Sequence, residues 1–145
     1  SLLDGSTPTA VAVGDLNLDN NSDIVVVDSE LNNIYVFLGD GNSTFVLQMI
    51  YSVGLGSLLR GVNVADLNND HFLDIIAVAA GTSKVLLLQG YGNGTFGNET
   101  SFTLGYNYDP YAVAVGDFNQ DHWSDIAVAN YGGDYVEILL RTCAA

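Results

Sequence analysis

The stretch Val13–Asp23, VGDLNLDNNSD, sets an acidic or amide side chain at every second position: Asp15, Asn17, Asp19, Asn21 and Asp23. Three carboxylates therefore share nine residues. At roughly 5 Å and an effective dielectric of about 20, each carboxylate pair costs about 3 kcal/mol. Either a cation sits among them or the loop splays into water.

Outward from this stretch, the chain repeats. AVAVGDLNLDNNSDIVVV starts at Ala10, GVNVADLNNDHFLDIIAV at Gly61 and AVAVGDFNQDHWSDIAVAN at Ala112. The acidic loops start at Asp15, Asp66 and Asp117, a constant step of 51 residues. The turns GDGNSTF (Gly39–Phe45) and GYGNGTF (Gly90–Phe96) keep the same step. Position, residue type and spacing agree in three copies, which marks a repeat architecture.

Each repeat reads as short strands. In the first, Ala10–Val13 leads into the acidic loop. Ile24–Val27 is a continuous apolar run, as for a strand covered on both faces. Ile34–Leu38 follows a polar turn, and a Gly-Asn turn precedes Phe45–Tyr51. No stretch has a useful helical period. The fold expected is all-β: three repeats of four-stranded antiparallel sheets, built as β-propeller-type blades. They form one repeat domain over residues 1–145, with blades at about 10–53, 61–104 and 112–145. Ala and Gly in each first strand suit the crowded centre where inner strands converge. The third repeat supplies DYVEILL as a third strand and then RTCAA, so its blade lacks an outer strand. Propellers have about 4–8 blades, so three close a ring only through oligomerisation or within a longer chain. The chain opens at Ser1 without an initiator Met or a signal-peptide pattern, as a processed or excised piece would. The departure of Arg141–Ala145 from the repeat favours a true terminus at that end.

The loops align at positions 1, 3, 5, 7 and 9 as Asp15, Asn17, Asp19, Asn21, Asp23; Asp66, Asn68, Asp70, Phe72, Asp74; and Asp117, Asn119, Asp121, Trp123, Asp125. Positions 1, 3, 5 and 9 always carry a side-chain oxygen. Position 7 does not, as suits a backbone carbonyl ligand. Hard oxygen donors in a flexible loop without Cys point to Ca²⁺, one ion per repeat. Asx-rich loops also form turns without any metal, a reading that three matching copies disfavour.

These D-x-N-x-D-x-x-x-D loops resemble the FG-GAP and VCBS repeats, which form the blades of integrin α-subunit propellers and of many surface proteins. The resemblance covers nearly the whole chain. It implies Ca²⁺ held between the first and second strands of each blade by the residues named above. It departs in copy number, since propellers of that family usually have seven blades.

Composition bounds the partners. Net charge is −14, with only Arg60, Lys84 and Arg141 basic. This excludes a nucleic-acid footprint. Nine of the seventeen acidic residues lie in the three loops, so the charge is clustered rather than spread as a solubilising coat. Three divalent ions would bring −14 to about −8, ordinary for a soluble domain. No apolar run reaches the roughly 20 residues of a membrane span. Cys143 has no partner for an intrachain disulfide and is either a free thiol or an intermolecular one.

His71 and His122 share a loop position but accompany no nucleophile and read as polar surface. No catalytic constellation appears, so no enzyme is expected. Asn42, Asn93, Asn98 and Asn20 head sequons and are glycosylation candidates in a eukaryotic source, with Gly-Asn turn chemistry the alternative at Asn42 and Asn93. The function expected is a calcium-binding extracellular or cell-surface module for adhesion or structural self-assembly, as a homo-oligomeric ring or head-to-tail filament through exposed blade edges. The alternative is a lectin-like or ligand-binding propeller fragment with a protein or glycan ligand, its tyrosines acting as a stacking platform.

Overall fold

A computed structural model describes residues 4–105 and 108–141. Its strands form three antiparallel sheets, each a meander in chain order. The first holds β1 (Pro8–Gly14), β2 (Asp23–Asp28), β3 (Asn33–Gly39) and β4 (Phe45–Ser52). The second holds β5 (Leu59–Ala65), β6 (Asp74–Ala79), β7 (Lys84–Gly90) and β8 (Phe96–Thr103). The third holds β9 (Pro110–Gly116), β10 (Asp125–Asn130) and β11 (Tyr135–Leu139). The all-β expectation is met. One 3₁₀ turn, Ala80–Thr82, replaces the open polar turn of the first repeat. The third sheet has three strands among the described residues, and Cys143 lies outside them.

The apolar runs bury as stacked blades. β6 is buried along its whole length, because the second sheet lies between the other two. Its Ile75 and Ala77 join Val25, Val27, Ile34 and Val36 in one core. Its Ile76 and Val78 join Val85, Ile126 and Val128 in a second. Ile24–Val27 is not covered on both faces as its apolar run suggests: among the described residues β2 and β10 each have a sheet on one side alone, so only one face of each is buried.

The first strands of the sheets, β1, β5 and β9, lie side by side. Small residues permit this: a Cβ added at Gly61 would stand 2.9 Å from the Tyr111 carbonyl of the neighbouring sheet. Each first strand also starts two residues earlier than its apolar pattern suggests. Pro8, Leu59 and Pro110 pair beyond a bulge at Thr9, Arg60 and Tyr111. A bulge re-aims its side chain, and here two of them reach across to the next blade. Thr9 Oγ1 donates to the Leu59 carbonyl at 2.8 Å. The Arg60 guanidinium sits 5.6 Å from the centre of the Tyr111 ring. On the outer rim the Tyr51 hydroxyl of β4 hydrogen-bonds Glu99 of β8, and that bond pushes the tyrosine up to about 12.

Ile76→Ala is expected to lower stability by about 2–5 kcal/mol, the range for truncating a fully buried isoleucine. Ile50→Ala, on a partly exposed outer strand, is expected to cost no more than about 1 kcal/mol. Urea unfolding followed by circular dichroism measures both.

Candidate metal centre

Each acidic loop joins the first and second strands of its blade, and the three fold alike. In the first loop, the Asp19 backbone N–H donates to Asp15 Oδ1 at 3.1 Å and to Asn17 Oδ1 at 3.2 Å. Asn17 Nδ2 donates to Asp19 Oδ2 at 2.9 Å, and Asn20 N–H donates to Asp15 Oδ2 at 2.8 Å. The second loop repeats this with Asp66, Asn68 and Asp70, and the third with Asp117, Asn119 and Asp121. Positions 1, 3 and 5 are thereby drawn round one backbone amide.

The curl has a backbone cause. Positions 4 and 6 are left-handed in every copy: Leu18 (φ 61°) and Asn20 (64°), Asn69 (60°) and His71 (71°), Gln120 (63°) and His122 (68°). None is glycine, and for such residues this region costs roughly 1–2 kcal/mol. The same two strained positions recur with different side chains, so the surrounding hydrogen bonds hold the shape rather than local preference.

Position 9 is placed differently from positions 1, 3 and 5. Asp23, Asp74 and Asp125 are buried. Asp23 Oδ2 accepts the Leu16 N–H at 2.7 Å and its Oδ1 the Gly39 N–H at 2.8 Å. Asp74 takes Leu67 and Gly90, and Asp125 takes Phe118 and Arg141, in the same way. The ninth carboxylate thus pins the loop's second residue to the end of the third strand. Glycine at 39 and 90 serves this closeness, since a Cβ there would run into the Ser22 or Leu73 backbone carbonyl. Position 9, expected from its spacing as a metal ligand, also has this bracing role, which the same residue at the same spacing does not reveal.

Position 7 also does more than its expected backbone role. A Cβ on Gly41 would meet the Asn21 side chain, and one on Gly92 the Phe72 ring. In the third blade the Arg141 guanidinium lies 5.3 Å from the centre of the Trp123 ring. The side chain at position 7 packs on the tip or end of its own third strand.

The carboxylates divide electrostatically. The Asn17 amide and the Asn21 N–H hold the Asp19 carboxyl below its usual range. Partial burial raises Asp70 and Asp117, but N–H donors outweigh it and both end lowered. At Asp74, burial outweighs the Gly90 and Leu67 N–H groups, and Asp70 and Asp66 add repulsion; the carboxyl is raised. Asp19, Asp70 and Asp117 therefore favour the ionised form.

Among the described residues, no three carboxylate, imidazole or thiol groups converge on one point. The ninth Asp is turned onto backbone amides, which leaves two carboxylates and one amide oxygen gathered per loop. An all-oxygen donor set with two negative charges fits a hard divalent ion, completed by backbone carbonyls or water. His71 and His122 are almost wholly exposed, 4.0 and 3.9 Å from Asp66 and Asp117. The sequon residues Asn20, Asn42, Asn93 and Asn98 are all exposed.

A family model described as an FG-GAP-like repeat matches residues 15–77 and 76–128, well over half of the chain. Among curated proteins the comparison found no match.

Asp74→Ala strands two buried N–H donors, each costing about 1–3 kcal/mol. It is expected to destabilise the fold even in chelator, whereas Asp70→Asn, at the loop mouth, is expected to leave metal-free stability nearly unchanged. Chemical denaturation of both variants in EGTA checks this.

Proposed function

The chain belongs to the FG-GAP-like repeat family, and from that premise we propose that it is a calcium-binding repeat module without catalytic activity, working in adhesion or structural self-assembly outside the cell or at its surface. The observation that carries this reading is the threefold recurrence of one strained loop around two carboxylates and an amide oxygen. Asp15, Asn17 and Asp19 would hold the ion in the first blade, Asp66, Asn68 and Asp70 in the second, and Asp117, Asn119 and Asp121 in the third. Backbone oxygen at Asn21, Phe72 and Trp123 would complete the sets, with Asp23, Asp74 and Asp125 sharing a remaining lone pair or bracing the loop from behind.

Calcium would supply positive charge where carboxylates are crowded and would tie position 1 to position 5 across the left-handed turn. Removing it would leave the repulsion unbalanced, so metal and fold would be linked. FG-GAP repeats occur in extracellular proteins generally. Millimolar extracellular calcium suits sites with Kd of roughly 10⁻⁴–10⁻³ M. The acidic balance of the chain opposes nucleic acid as a partner, and among the described residues no helix is long and apolar enough to cross a membrane. The exposure of both histidines supports a non-catalytic reading.

Calorimetric titration with Ca²⁺ is expected to give three sites, and melting to shift upward with the ion. At ten times Kd each site adds about 1.4 kcal/mol of stability. A double change, Asp66→Asn with Asp70→Asn, is expected to remove one site of the three. Absence of both heat and thermal shift would sink the reading.

One observation favours a lectin-like second reading. Asn130 is buried, yet among the described residues neither its Nδ2 nor its Oδ1 finds a partner. It lies in a cleft of about 330 Å³ with Tyr111, Tyr131 and Tyr135. Aromatic rings beside an unpaired amide suit a sugar ring. In this reading a glycan array gives a signal that Tyr131→Ala abolishes; a blank array discards it.

A further inference from the structure

Asn93 and Gly94, in the β7–β8 turn, form the chain's one Asn-Gly pair. Such a pair carries a reaction of its own. The backbone nitrogen that follows an asparagine can attack the side-chain carbonyl carbon and close a succinimide ring. Glycine favours this, because it brings no Cβ to crowd the ring and its backbone turns freely. Asn42, at the same place in the first blade, is followed by Ser43 instead.

The fold treats the two reacting groups in opposite ways. The electrophile is open and polarised. Asn93 is exposed, and its Oδ1 accepts the Thr95 N–H at 3.0 Å and the Thr95 hydroxyl at 2.6 Å. Both donors draw electrons from Cγ and face the oxygen on which negative charge gathers during attack. The nucleophile is locked. Gly94 is buried, and its N–H donates to the Leu16 carbonyl of the first blade at 3.0 Å. A Cβ on Gly94 would stand 2.8 Å from Leu38 Cδ2, so this backbone lies directly on the first blade. An amide held in this way exchanges its proton only when the structure opens, and until it loses that proton its nitrogen does not attack. The lock belongs to the junction of the first two blades. Phe96 packs in the core that the two sheets share, and the Tyr51–Glu99 bond joins their outer strands.

We infer that Asn93 is a self-modifying site whose reaction is gated by this junction. When the β7–β8 turn lifts off the first blade, the Gly94 N–H is freed and gives its proton to hydroxide. The nitrogen bonds to Asn93 Cγ, the Cγ–Nδ2 bond breaks, and Nδ2 leaves as ammonia with a proton returned from water. One water then adds to the succinimide and opens either of its two carbonyl–nitrogen bonds. The product at position 93 is an aspartate or an isoaspartate, and the net change is amide plus water to carboxylate plus ammonium. In the isoaspartate the main chain gains a methylene, for which the close seat of Gly94 on Leu38 leaves no room. The turn then fails to regain its bond to Leu16, and a reversible separation of blades becomes a permanent one. The inference goes beyond the function proposed above and needs neither bound calcium nor self-association.

The test follows two quantities in the same unglycosylated chain at mildly alkaline pH with Ca²⁺. Peptide mapping by mass spectrometry measures conversion at position 93, and hydrogen exchange by NMR measures opening at the Gly94 amide. Conversion in the folded chain is expected to be at least about tenfold slower than in the chain unfolded in urea, as for an amide freed only by local opening. Tyr51→Phe removes the rim bond and Phe96→Ala loosens the core of the junction. Both are expected to raise Gly94 exchange and conversion by the same factor. Low urea, which promotes opening without any substitution, gives the same comparison should either variant unfold or leave exchange unchanged. Conversion as fast in the folded chain as in the unfolded one overturns the inference. So does conversion that stays constant while Gly94 exchange rises, because the junction would then not be the gate.

Discussion

Everything in this fold hangs on a buried carboxylate that accepts two backbone N–H groups. Asp23, Asp74 and Asp125 each close the gap between the first residue after the loop's leading Asp and the end of the third strand. An unpaired carboxylate in that position would be costly, since burial disfavours the charge. With both oxygens engaged, the charge strengthens the hydrogen bonds it receives. The result is a hairpin whose tip cannot swing away from its sheet. The six-residue curl of positions 1 to 6 then has a fixed base, and its left-handed residues are tolerated because the base holds them.

The rigid loop is also the seat for the neighbouring blade. Leu16 offers its carbonyl to the turn of the second sheet while its side chain enters the core between the sheets. Candidate ion site, hairpin and inter-blade packing are therefore one continuous structure. A charge change at the loop mouth and a packing change between blades would be felt by each other through a few residues. The third blade shows what happens when part of this is absent among the described residues. A cleft of about 720 Å³ runs between β7, β8 and β11, lined by Leu87, Phe102 and Leu140, where a fourth strand would pack.

Much of this was legible in the chain. A 51-residue step repeated in three loops announced a blade array, and the apolar run Ile24–Val27 announced a strand, though its continuity overstated the cover: Val25 and Val27 are buried while Ile24 and Val26 are only half-buried. The strand limits came within two residues. What was hidden were the bulges at Thr9, Arg60 and Tyr111, since a bulge leaves the apolar alternation of the paired strand intact. Hidden too was the turning of the ninth Asp, because a ligand and a backbone acceptor need the same residue at the same spacing. The packing of Asn21, Phe72 and Trp123 against the third strand escaped notice for a similar reason: three dissimilar side chains look unconstrained until the hairpin they touch is seen.

The sequence by itself determined the all-β class, the repeat, the meander order and the oxygen-rich loops, because these follow from local alternation, turn residues and spacing. Only the tertiary structure decided which face of each strand is buried. The same pattern of Ile, Val and Ala is covered on both sides in β6 and on one side in β2 and β10. Burial depends on what stands next to a sheet, and no stretch of chain carries that information about itself.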